Sequence, residues 1–113
     1  MSAITTHVLD LARGLPAAGL AVELALRAGE GWRELGRQAT DGDGRARELL
    51  APGAPLVAGV YRLRFDLGAY FASQGGPAFF PEAAVVFAVA DPGARVHVPL
   101  LVSPYGYSTY RGS

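Results

Sequence analysis

The chain has 113 residues, room for one domain spanning 1–113, and half of them are hydrophobic with only 18% charged, which calls for a packed core rather than disorder. Ten basic and ten acidic residues cancel, so no basic field draws in nucleic acid or an anionic membrane surface, and neither is expected as a partner. Cys, Lys and Asn are all absent, which excludes disulfides, thiol nucleophiles, Cys-ligated zinc, Schiff-base lysines, a P-loop lysine and glycosylation sequons.

Short runs punctuated by Gly and Pro fill the sequence. Ile4 to Asp10 alternates, with Thr5, His7 and Leu9 on one side and Thr6, Val8 and Asp10 on the other. Arg13 to Gly19 is a turn-rich connection. Ala21 to Arg27 alternates with Val22, Leu24 and Leu26 on one face, and Gly29 to Gly31 reads as a hairpin turn into a strand over Trp32 to Ala39. Thr40 to Gly44 is turn chemistry, and Ala51 to Pro55 is a loop. Val60 to Asp66 carries the strongest strand signal, Tyr61, Leu63 and Phe65 against Arg62 and Arg64. Leu67 to Gln74 breaks the two-residue period and predicts one short helix, with Asp66 as N-cap and a glycine stop. Ala83 to Ala90 is apolar on both faces and reads as a buried strand or, as the second choice, a buried helix, Val96 to Val102 alternates, and Tyr107 to Arg111 is a candidate last strand. The class is all-β: a two-sheet sandwich of about eight strands with one short helix.

Two tempting motifs fail. Asp41-Gly42-Asp43-Gly44 has Arg45 where a calcium loop needs a third acidic or amide ligand, so an Asp-Gly turn with Arg45 projecting beyond it is the reading. Gly106-Tyr107-Ser108-Thr109-Tyr110 puts Tyr110 where a nucleophile elbow needs glycine. The two histidines are more informative. Val96, Val98, Leu100 and Val102 share the core face, so His97 points away from it, and His7 lies opposite Val8 in the same sense. Both imidazoles stand among apolar neighbours on a second face that would be a costly exposed patch unless another subunit covers it. A metal at this pair would need a third ligand that no spacing supplies, and neither a metal nor another cofactor is expected.

The ending His97-Val98-Pro99-Leu100-Leu101 and Ser103-Pro104-Tyr105-Gly106-Tyr107-Ser108-Thr109-Tyr110-Arg111-Gly112-Ser113 closely resembles that of the 5-hydroxyisourate hydrolases, the transthyretin-related enzymes of urate breakdown. Thr5-Thr6-His7-Val8-Leu9-Asp10 with Gly14-Leu15-Pro16-Ala17 is similar to the start of that family, and Thr40-Asp41, Asp43-Gly44-Arg45 and Phe79-Phe80-Pro81-Glu82 match further blocks. Tyr110-Arg111-Gly112-Ser113 is the most specific part, because transthyretin carriers of the same fold lack it. Arg95-Val96 depart from the aromatic, often preceded by a further His, that many members carry before the histidine, and Val102 replaces a commoner Leu.

The resemblance implies a transthyretin-like sandwich in which the first strand neighbours the seventh and the seventh the last. It implies a homotetramer, a dimer of dimers with active sites at the dimer–dimer interface, and hydrolysis of the small molecule 5-hydroxyisourate to the ureido-imidazoline carboxylate OHCU. One of His7 and His97 is then the general base and the other fixes water or substrate; Arg45 steadies the carbonyl oxygen; Tyr110 and Ser113 line the substrate pocket; Arg111 braces the last residues. Pro99 conflicts with a strand inside a sheet and predicts a local gap in pairing. A cytoplasmic setting is expected, since Met1 to His7 carries no signal-peptide pattern. Rival readings are a transthyretin-like carrier of a small hydrophobic ligand and a sandwich module of the adhesion type.

Overall fold

The computed structural model describes residues 2–113. The described residues form nine strands, β1 (Ile4–Asp10), β2 (Leu15–Pro16), β3 (Ala21–Ala28), β4 (Gly31–Ala39), β5 (Arg45–Ala46), β6 (Gly59–Asp66), β7 (Glu82–Val89), β8 (Val96–Ser103) and β9 (Gly106–Thr109), with one helix, α1 (Leu67–Ser73), between β6 and β7. They form two sheets. One runs β2-β1-β8-β9 with β5 also paired to β1; the other runs β4-β3-β6-β7. Two of the nine strands are two-residue pieces, so the sandwich with one short helix expected from the sequence is the one observed.

The core lies between the sheets. Ile4 and Val8 of β1, Val98, Leu100 and Val102 of β8, and Leu24, Leu63 and Phe65 of the facing sheet are buried, each on the inward side of its strand. The alternate residues Thr5, His7, His97 and Leu101 are half-buried on the outer face. Asp66 caps α1 as expected, its Oδ1 accepting from the Ala69 N–H at 3.0 Å, and Gly75 at φ 80 follows the helix. One expectation is corrected. Ala83 to Ala90 is apolar on both faces yet not buried on both, because β7 is the outer strand of its sheet: Ala83 and Val89 face the core, whereas Val86 is 52% exposed.

Pro99 behaves as its chemistry requires. The ladder between β8 and β9 stops at Leu100↔Thr109 and resumes only at the isolated bridge His97↔Gly112, so Pro99 faces a gap. The outer face of the second sheet is different in kind: Glu23 lies 3.1 Å from Arg37, 3.7 Å from Arg62 and 3.9 Å from Arg64, and Glu34 at 2.7 Å from Arg37 and Glu82 at 2.9 Å from Arg64 complete an ion-pair network of three carboxylates and three guanidiniums. Among the described residues no helix is long and apolar enough to cross a membrane.

A buried polar contact ties the helix to the first sheet. Asp10 is 2% exposed; its Oδ1 accepts from the Ala12 and Arg13 N–H groups, and its Oδ2 accepts from the Tyr70 hydroxyl of α1 at 2.8 Å. Burial, reinforced by that hydrogen bond, pushes the Tyr70 phenol above its ordinary pKa and keeps it a donor. Tyr70→Phe leaves a buried carboxylate oxygen without its donor and is expected to lower the unfolding free energy by about 1–3 kcal/mol, read by urea denaturation. A loss below about 0.3 kcal/mol would show that the oxygen regains a partner on its own.

Candidate active site

The site begins with strand register. β1 and β8 pair in parallel with Thr5 opposite His97 and His7 opposite Pro99, so the two histidines share the outer face on adjacent strands. On the other side of β1, β5 runs antiparallel with Arg45 opposite His7. Three groups separated by up to ninety positions thereby meet on one patch.

The turn before β5 does two jobs. Asp41 Oδ1 accepts from the Asp43 and Arg45 N–H groups at 2.9 and 3.0 Å, and these donors, the Arg45 one foremost, hold the Asp41 carboxyl below its usual range. Gly44 takes φ +79, and a Cβ there would sit 2.4 Å from the Val8 carbonyl oxygen. The turn so fixed launches Arg45 and offers its Asp43 carbonyl to His7 Nε2 at 2.8 Å. A carbonyl only accepts, so Nε2 of His7 carries a proton.

His97 is gripped from both sides. Its Nδ1 lies 2.8 Å from Thr5 Oγ1, and its carbonyl accepts from the Gly112 N–H at 2.8 Å. A Cβ on Gly112 would stand 2.7 Å from His97 Cδ2 and 3.1 Å from the Pro99 ring, so only glycine lets the chain pass over the imidazole. Burial lowers the His97 pKa from its ordinary 6.5, with the positive charges of Arg45 and His7 acting in the same direction, while the Thr5 backbone opposes them. The imidazole is therefore neutral at neutral pH.

A cavity of about 580 Å³ opens beside this ring. Thr5, Arg45, His97, Arg111 and Ser113 line it together with Arg47 and Arg95. No side-chain carboxylate is among the described residues that line it. Its chemistry is that of a positive, hydrogen-bonding pocket for a small oxygen-rich molecule. Of the residues expected from the sequence, Arg45, His97 and Ser113 share this cavity, and His7 stands beside Arg45 at its margin. Tyr110 is elsewhere: it is 60% exposed and borders a second cavity against β7, of about 370 Å³. Arg111 borders both. Sequence reasoning missed Thr5 and Gly112 as parts of the site; only the pairing of β1, β8 and the 110–113 segment exposes them. Among the described residues no three His, Asp or Glu side chains converge as a metal-binding group.

Gly112→Ala must shift either the imidazole or the segment over it, since a Cβ 2.7 Å from His97 Cδ2 is closer than real side chains approach. A changed His97 imidazole ¹⁵N or ¹H resonance is expected, with a melting temperature within roughly 3 °C of the parent, because the affected segment lies at the sheet margin. An unmoved resonance would show that Cβ is absorbed without disturbing the ring.

The sequence matches the HIUase/Transthyretin family model over residues 4–112. A 5-hydroxyisourate hydrolase of Caulobacter vibrioides is 50% identical over 117 residues, covering all of both chains. Klebsiella pneumoniae 5-hydroxyisourate hydrolase superposes with a TM-score of 0.85 at 40% identity, over 97% of this chain and 98% of that one. A sea bream transthyretin in complex with thyroxine superposes with a TM-score of 0.87 at 32% identity, over 98% of this chain and 95% of that one. The chain belongs to the HIUase/Transthyretin family.

Proposed function

We propose that this chain hydrolyses 5-hydroxyisourate, opening its six-membered ring at a cyclic amide to give the ureido-imidazoline carboxylate OHCU. The observation that carries the reading is a neutral, half-buried imidazole, His97, sharing a cavity with the Arg45 guanidinium. A lowered pKa keeps His97 in its base form at neutral pH, and the guanidinium supplies charge where a carbonyl oxygen becomes negative.

His97 takes a proton from water as the water oxygen bonds to the amide carbonyl carbon. Arg45 stabilises the oxyanion of the tetrahedral intermediate, with its fork of N–H donors. The carbon–nitrogen bond then breaks, and the proton held by His97 passes to the departing nitrogen. No covalent enzyme intermediate is needed, which suits a chain without Cys or Lys. His7 donates from Nε2 to the Asp43 carbonyl, and this fixed contact suits it to holding water or substrate rather than to serving as the base through that nitrogen. Ser113 contributes a wall of the pocket. Tyr110 joins the pocket across a subunit contact, the role its exposed ring is free to take.

Assembly supports the same reading. Leu9 and Leu101 stand side by side on the outer face that carries the histidines, and a second protomer laid on this face would cover them and dry the cavity. We infer a dimer of dimers closed across it, to be read as a solution mass four-fold the 11.8 kDa of the chain. A mass of one or two chains at working concentration would remove this cover.

His97→Asn and Arg45→Ala are each expected to slow ring opening by about two decades, followed as the ultraviolet absorbance of freshly made 5-hydroxyisourate. Unchanged rates in correctly assembled protein would refute those roles. A protein that leaves the spontaneous decay of the substrate untouched would instead favour a carrier, as the likeness to the thyroxine-bound transthyretin allows. In the pH profile, kcat/KM rises with pH through a limb whose midpoint lies below 6.5, because the folded protein releases the His97 proton more readily than free imidazole does. A midpoint above 6.5 would assign the limb to another group.

A further inference from the structure

We propose that Thr5 is a positioning residue for the base: its hydroxyl accepts a hydrogen bond from His97 Nδ1–H and so presents an unprotonated Nε2 to the cavity. The inference rests on the reading of His97 as the general base and adds what holds that base in the reactive tautomer.

An imidazole can remove a proton from water only through a bare nitrogen, and which nitrogen is bare follows from the hydrogen bond made by the other. In many catalytic histidines a carboxylate behind the ring decides this. No side-chain carboxylate is among the described residues that line this cavity, and the polar side-chain atom that meets Nδ1 is Thr5 Oγ1, at 2.8 Å. Thr5 and His97 are direct register partners of the parallel β1 and β8, so the hydroxyl is set by backbone pairing rather than by a mobile loop. Both residues are half-buried, which strengthens the contact relative to one in open water.

The direction of the bond follows from its surroundings. A threonine hydroxyl either donates or accepts. The Thr5 backbone raises the His97 pKa, the sign of an accepting group beside the ring, and an acceptor there favours a proton on the imidazole side of the contact. The charged side chains around the ring are the guanidinium groups of Arg45 on β5, Arg47 just after it, Arg95 before β8 and Arg111 after β9, and the titratable group beside them, His7 on β1, turns its Nε2 to the Asp43 carbonyl. A guanidinium accepts no hydrogen bond, and the side-chain atom that meets His97 Nδ1 is Thr5 Oγ1, so the tautomer is left to Thr5. On the far side the Gly112 backbone passes close to the ring, so close that a Cβ there would lie 2.7 Å from Cδ2.

The test compares Thr5→Val, which keeps the shape and loses the hydroxyl, with Thr5→Ser, which keeps the hydroxyl. Thr5→Val is expected to lower kcat by about tenfold, a fraction of the roughly 10²–10⁴ that a general base contributes, with KM changed by less than about two-fold. Its acid limb moves to lower pH, since the imidazolium loses an acceptor that the neutral ring needs less. Thr5→Ser is expected to recover most of the rate and the original limb. Imidazole ¹⁵N shifts read the tautomer directly: Nδ1 protonated in the parent and in Thr5→Ser, and a mixture or the other tautomer in Thr5→Val. A merely structural Thr5 would lower the melting temperature and leave the limb and the tautomer where they were. That result, or equal losses of kcat in both variants, would overturn the proposal. His97→Asn in the same assay separates the two claims: if it keeps full activity the base reading fails, while the ¹⁵N shifts still decide whether Thr5 sets the tautomer.

Discussion

Seven consecutive residue pairs, from Ile4↔Val96 to Asp10↔Val102, run parallel between β1 and β8, and the candidate site exists because of that register. Side chains alternate along each strand, so a slip of one residue would send one histidine into the core and bring a valine or threonine outward. The slip is opposed by what lies beneath: Ile4, Val8, Leu100 and Val102 are fully buried on the inner face, and turning any of them out would forfeit about 1.5–3 kcal/mol of burial per side chain. Thr6 adds a polar lock, its buried hydroxyl donating to the Val98 carbonyl at 2.6 Å. The hydrophobic core thus fixes, as a by-product of packing, which nitrogen meets which hydroxyl on the other face.

The same economy governs Arg45. One tight turn, closed by Asp41 and by the left-handed Gly44, begins β5, aims the guanidinium and supplies the carbonyl that orients His7. Charge then does the rest. Burial above all discourages a proton on His97, and Arg45 and His7 act in the same direction, so the residues that surround the ring also tune it. The second sheet shows the contrast: there Glu23, Glu34 and Glu82 pair with Arg37, Arg62 and Arg64.

Much of this was legible in the sequence. Strict alternation in Val96 to Val102 set His97 opposite the core, Asp66 announced the helix, and the Asp41 to Gly44 turn was clear from its residues. The failures have physical causes. β7 is apolar on both faces, and composition cannot distinguish a strand covered on both sides from one at a sheet edge, where Val86 is left half in the open. β2 and β5 are two residues long, too short to carry any period. At Leu35 a bulge adds a residue to β4, shifting its register against β3 between Leu24 and Ala25; no local pattern signals it. Thr5 looks like any strand threonine until pairing across 92 positions sets it against an imidazole. For Tyr110 the resemblance implied a pocket wall, while in this chain the ring borders a different cavity, against β7.

Pro99 is where the sequence conflict turns out to be constructive. His97↔Gly112 and Leu100↔Thr109 obey one register, so the 110–113 segment continues the line of β9 across the gap rather than leaving the sheet. Hydrogen-bonded positions recur every second residue in an antiparallel pair, which puts Pro99 where a donor to the Tyr110 carbonyl belongs, and proline has none. Its own carbonyl is not orphaned, since Thr109 Oγ1 donates to it at 2.7 Å. The missing bond frees Tyr110 and Arg111 from the ladder, and the Gly112 N–H returns to the His97 carbonyl to close it again. A residue that could donate at position 99 would zip the segment into an ordinary strand. With proline there, the segment is held at the one point where it presses on the imidazole, and its neighbours are left to face the cavities on either side.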